Sequence, residues 1–152
     1  MIHKALVLLH LLGFAAYLGS GFAQQRIMAR SAQASVGAAV RDEYERLVAT
    51  IVTRIELPAL FVQVATGLAF VAINSAWLTM GWLHGKLTCV VVLLVLSHLE
   101  MFNALAIVRA RAARGDGANA EIAARKTRHA RLGLLGGVAL VAVVALVAYG
   151  LA

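Results

Sequence analysis

The sequence predicts an all-α integral membrane protein, a four-helix bundle with both termini on the outer face. Three observations carry that expectation. The chain of 152 residues is 62% hydrophobic with a mean hydropathy of +0.85, where a soluble domain is roughly half apolar. The apolar residues gather into stretches long enough to cross a bilayer, which takes about 20 residues of helix. The basic residues gather in two of the three joints between those stretches.

The first span is Ala5–Ala23. It also has the pattern of a signal peptide, with Lys4 before the apolar run and Gly21-Phe22-Ala23 as a small-residue cleavage site; it is read here as a retained span. Arg26 to Arg46 is polar enough to leave the membrane, and Arg41-Asp42-Glu43-Tyr44-Glu45-Arg46 reads as the first turns of the next helix. The second span is Leu57–Ile73, extended back toward Leu47, and Asn74-Ser75 ends it. The third is Leu87–Val108. The run Arg114-Gly115-Asp116-Gly117-Ala118-Asn119 is a turn, and Leu132–Ala152 is the fourth span. The chain is thus one transmembrane domain, residues 1–152, with spans at about 5–23, 47–73, 87–108 and 132–152. No period-2 alternation suggests a β-barrel.

Charge sets the expected orientation. The joint between spans one and two holds Arg26, Arg30, Arg41 and Arg46. The joint between three and four holds Arg109, Arg111, Arg114, Arg125, Lys126, Arg128 and Arg131, whereas the middle joint has no base before Lys86. Basic residues collect on the cytoplasmic side, which places both termini outside. Trp77 and Trp82 suit an outer aromatic belt. The net charge of +7 is therefore topological rather than a nucleic-acid signature. A single cysteine, Cys89, excludes internal disulfides and any cysteine-based metal framework.

Ionisable residues inside spans are costly and commonly functional. His3, His10, Tyr17 and Gln24 recur every seven residues, a step that returns a helix to nearly the same face. This stripe faces a cofactor or cavity, or is a packing face beside Gly13, Gly19 and Gly21. Lys86, with His84 just before it, opens the third span; it either joins a site or snorkels to the interface. His10 lies roughly 9 Å beyond Lys4, and His98 roughly 18 Å beyond Lys86, so His10 is closer in depth to Lys86. His98 and Glu100 are two apart and point to different helix faces, so each needs its own partner. Arg54 and Glu56 read as interfacial charges, and Pro58 is expected to bend the second helix. His129 falls in a basic cluster and reads as solvated or near headgroups. Gly133 and Gly137 form a GxxxG step. Metalloprotease, zinc-finger, nucleophile-elbow and phosphate-loop motifs are absent. Histidines at several depths are the chemistry that remains, and histidine nitrogen ligates haem iron or copper well.

Lys4-Ala5 with His10, Arg26 sixteen residues after that histidine, and Gly81-Trp82-Leu83-His84-Gly85-Lys86-Leu87-Thr88 resemble the HemJ-type protoporphyrinogen IX oxidases, small four-span inner-membrane proteins related more loosely to the copper-resistance D family. The resemblance covers roughly residues 1–110. It implies haem b as cofactor and a porphyrin substrate oxidised with electrons passing to quinone. His10 and Lys86 would be catalytic, with His10 on the haem iron and Tyr17, Arg26, His84, Lys86 and His98 as the cofactor-binding set. The chain departs from the family at Tyr17, where the family carries tryptophan, and at Arg131-Leu132-Gly133-Leu134, where it carries Asn-Glu-x-Pro-Thr. Two other functions suit the same composition. One is an accessory subunit of a larger respiratory or photosynthetic complex or a homo-oligomer, in contact with membrane lipid. The other is copper handling, for which four methionines and one cysteine make a thin path.

Overall fold

The computed structural model describes residues 2–151; Ala152, the end of the expected fourth span, lies outside the described residues. Five α-helices make up the fold: α1 (Ile2–Ser31), α2 (Ala38–Ile51), α3 (Leu57–Ile73), α4 (Gly81–Arg114) and α5 (Asn119–Leu151). There is no strand among the described residues.

Helices α2 and α3 form one continuous path, joined by a π-helical turn over Val52–Glu56. Its cause is Pro58, which has no N–H to give the carbonyl one turn earlier, so the ladder widens instead of breaking. The expected bend is thus a π turn, and the buried face of the path continues through it from Val52 to Glu56 and Leu60. After α3, Asn74 leaves helical geometry where the sequence placed the break.

By unbroken helical path, three segments are long and apolar enough to cross a membrane: Ile2–Ser31, Ala38–Ile73 and Gly81–Gly150. This corrects the expected count of four. The turn at 114–119 folds as a short 3-10 helix, Gly115–Ala118, so α4 and α5 follow one another with no extended linker. The third segment nevertheless reverses direction at Gly115, whose φ of +52° favours glycine. The two arms then pack side by side. Asn103 Nδ2 donates to the carbonyl of Arg125 at 2.9 Å, and a Cβ on Gly85 would stand 3.2 Å from Leu146.

Large apolar side chains cover the outside of the bundle: Leu8, Leu11 and Leu12 on α1, Phe61 and Leu68 on α3, Val91 and Val95 on α4, and Leu134, Val138 and Val141 on α5. Helices this apolar on their outer faces belong in lipid, so association rests on close packing and internal hydrogen bonds. The tightest apolar cluster lies at the arginine-rich end, where Met28, Val48, Val52, Ala104, Ile107 and Ile122 meet. Gly13 lets α1 approach α3, since a Cβ there would come within 3.3 Å of Ala59 O, Gln63 and Val62. That approach positions the polar stripe of α1.

Candidate functional site: a polar column with two cavities

The seven-residue stripe of α1 turns inward. His3 and His10 both pack edge-on against Phe70 of α3, with ring centroids 5.6 and 5.7 Å apart. Tyr17 and Gln24 are buried. Successive members rise by roughly 10 Å, so the stripe lays polar groups down the bundle in layers.

The His10 layer comes first. His10 Nδ1 lies 2.7 Å from Thr66 Oγ1. Thr66 has one hydroxyl proton and donates it within its own helix, to Val62 O at 2.7 Å or Gln63 O at 3.1 Å. When it does so it accepts from the Nδ1–H of His10, and in that tautomer the Nε2 lone pair is bare. Gln63 Nε2 donates to the carbonyl of His10 at 2.6 Å, holding the backbone as well. His10, Lys86, Tyr17 and Gln63 share a cavity of about 320 Å³, otherwise walled by Phe14 and by aliphatic residues of α1, α3, α4 and α5. The depth argument from sequence thus brings His10 and Lys86 to one chamber.

Tyr17 is the partition below it. Its hydroxyl lies 3.1 Å from Ser97 Oγ of α4, and it lines both the His10 cavity and a second one of about 290 Å³. Glu56, Glu100, Gln24, Gln25, Gly133 and Gly137 line that second chamber. Gln25 Nε2 donates to Glu100 Oε1 at 2.6 Å. Gln24 accepts from His129 Nε2 through its Oε1, which turns its amide toward Glu56 and Glu100. A Cβ on Gly133 would collide with the Gln25 amide, so the first glycine of the GxxxG step makes room for this hydrogen bond.

A charged layer closes the arginine-rich end. Glu45 is 1% exposed and accepts from Arg111 Nη2 at 3.1 Å and Lys126 Nζ at 2.7 Å. Arg111 also pairs with Asp42 at 3.0 Å and donates to Asn119 at 2.7 Å, and Lys126 donates to the carbonyl of Ser31 at 3.0 Å. Burial opposes charge on Glu45, but the hydrogen bonds from Arg111 and Lys126 outweigh it and hold its carboxyl below the usual glutamate range.

Of the residues singled out from sequence, His10, Lys86 and Tyr17 come together. The others stand apart. Arg26 is exposed on α1. His84 is exposed and bonds the carbonyl of Leu78 at 2.8 Å. His98 donates to Leu94 O one turn back at 2.7 Å and packs against Phe61, outside both cavities. As expected, it does not pair with Glu100.

Two expectations are corrected. Glu56 is 2% exposed rather than interfacial, because it continues the buried face of Glu45, Ala49 and Val52 at steps of three and four residues. His129 is fully buried rather than solvated, because it faces Gln24 across α1. Its signal was its spacing: Gly133, four residues on, stands on the same helix face and packs tightly against Gln25.

No curated protein and no solved structure matches the chain. A family model matches residues 4–150, nearly the whole chain and every residue of the column from His10 onward. The chain belongs to the family described as predicted integral membrane protein (DUF2269).

Proposed function

We propose that this protein is a haem-binding redox protein of the bacterial inner membrane, holding haem b in the cavity between His10 and Lys86. The observation that carries the reading is the 2.7 Å contact between His10 Nδ1 and Thr66 Oγ1. Metal-bound histidines almost always use their other ring N–H in a hydrogen bond that orients the ring, and Thr66 supplies that partner. The donor set suits haem better than a bare ion. No cluster of three or more His, Cys, Asp or Glu able to hold a metal is found among the described residues. Haem iron brings four nitrogens of its own and needs one or two from the protein. His10 would supply one, and Lys86 would set a cation beside a porphyrin carboxylate. At about 320 Å³ the cavity lies at the lower end of the range for small-molecule sites and would enclose only part of a porphyrin ring, against walls that are aliphatic apart from Phe14. When bound, haem supplies one-electron transfer. The resemblance to protoporphyrinogen IX oxidases makes a porphyrinogen the substrate to assay, with quinone as electron acceptor.

The same reading takes α4 and α5 as two separate crossings. Helices of 34 and 33 residues are roughly 50 Å long, enough for the hydrocarbon core and an extension beyond it. The arginine-rich end would then be cytoplasmic and both termini periplasmic, with His10 toward the outer leaflet.

The test is a visible absorption spectrum of the full chain purified in mild detergent, oxidised and then reduced. A Soret band that shifts on reduction is expected. Absence of a Soret band, both as purified and after incubation with haemin, would sink the reading.

A further inference from the structure

We propose that Glu56 and Glu100 form a proton-binding pair inside the membrane, connected to the His10 cavity through Ser97 and Tyr17. Both carboxyls are buried, at 2% and 5% exposure, and both line the 290 Å³ chamber. They enter it from different parts of the fold, Glu56 from the π turn before α3 and Glu100 from α4. Glu56 Oε2 has no hydrogen-bond partner although it is sealed from the outside.

The groups that face the pair are neutral donors. Gln24 and Gln25 come from α1 and Ser97 from α4. Tyr17 on α1 is the other titratable group lining the chamber, and His129 on α5 stands behind Gln24. Neither carboxyl forms an ion pair among the described residues; the ion pairs found there lie at the arginine-rich end. Two adjacent carboxylates without a counter-cation in a low-dielectric interior cannot both be ionised. The pair therefore carries a proton, as paired carboxyls do in acid–base sites. Two devices in the fold build this site. The π turn at Val52–Glu56 ends at Glu56, and π turns concentrate at functional positions. Gly133 clears space for the Gln25 amide on Glu100.

The route out runs through hydroxyls. Ser97 faces Glu56 and lies 3.1 Å from the Tyr17 hydroxyl, and Tyr17 borders both chambers. In one transfer Glu56 gives its proton to Ser97 Oγ, and Ser97 gives its own proton to the Tyr17 oxygen. The phenol proton then passes to a water molecule in the His10 cavity. Each O–H bond broken is matched by one formed, no electron moves, and a carboxylate remains to be reprotonated. The site stands without the haem reading, and its test uses no haem signal.

The test is infrared spectroscopy of the full chain in liposomes, following the C=O stretch of protonated carboxyls. At neutral pH the wild type should show this band, lost in two steps as pH rises. Glu56→Gln and Glu100→Gln should each leave one step, at a lower pH than the upper step of the pair, because the like charge is gone. The double variant should lack the band. A wild-type spectrum without the band at neutral pH, or a double variant that keeps it, would overturn the proposal; the first outcome needs no variant to fold. Tyr17→Phe should retain the band and slow its hydrogen–deuterium exchange by roughly tenfold, against the 100-fold or more that a positioned acid–base group commonly contributes. An unchanged exchange rate would overturn the Tyr17 route.

Discussion

Replacing Glu45 by Gln isolates what the charged layer contributes. Glu45 is the hub that ties α2 to α4 through Arg111 and to α5 through Lys126, and Lys126 reaches on to the end of α1 at Ser31. In the native layer the cations Arg111 and Lys126 are balanced by Asp42 and Glu45. The variant keeps the side-chain shape and one acceptor oxygen but leaves only Asp42 and the exposed Asp116 against two buried cations. Breaking a buried ion pair from one side costs about 3–5 kcal/mol. The retained acceptor puts this change near the lower end, about 3 kcal/mol. For a chain of this size that corresponds to a fall in Tm of roughly 6–12 °C.

The assay is thermal unfolding followed by circular dichroism in mild detergent at neutral pH. The pH dependence supplies a second readout. The folded pKa of Glu45 lies below its unfolded value, so its stabilisation is fully present above the ordinary glutamate pKa, about 4.3. It is lost as pH falls through the lowered folded value. Wild type should lose stability on acidification in that window, and Glu45→Gln should lose less. A variant that melts within about 2 °C of wild type, a shift worth less than 1 kcal/mol, would refute the claim that this layer holds the helices together.

Other predictions follow from single contacts. Thr66→Val removes the acceptor for His10 Nδ1–H without changing volume, and haem affinity should fall about 10–100-fold in a titration followed at the Soret band. Gly133→Leu must push the Gln25 amide off Glu100, and overpacking of that kind costs about 1–3 kcal/mol, read as a lower Tm. A reporter that is active only outside the cytoplasm, fused after residue 152, should be active in cells, and one inserted at Gly117 should be silent. The reverse pattern would invert the proposed topology.

The spans and the polar stripe of α1 were legible because apolar length and a seven-residue step survive any detail of packing. His10 and Lys86 were placed in one chamber by counting residues from the same face. Glu56 was read together with its exposed neighbour Arg54 as an interfacial charge. Its steps of four and seven residues from Val52 and Ala49 put it on their buried face instead. His129 was hidden by its neighbours, since Arg125, Lys126, Arg128 and Arg131 mark the segment as exposed while one face of the same helix is buried. The crossing count differed because a turn rich in glycine and polar residues still closed as 3-10 helix, which a composition reading takes for a loop.

The claim on which the account rests is that His10 holds haem. Its most direct test is the haem content per chain of wild type, His10→Ala and His98→Ala, purified side by side and supplied with haemin. The account predicts haem in wild type and in His98→Ala, whose histidine lies outside both cavities, and loss of haem in His10→Ala. Equal haem in His10→Ala and wild type, or loss confined to His98→Ala, would contradict it.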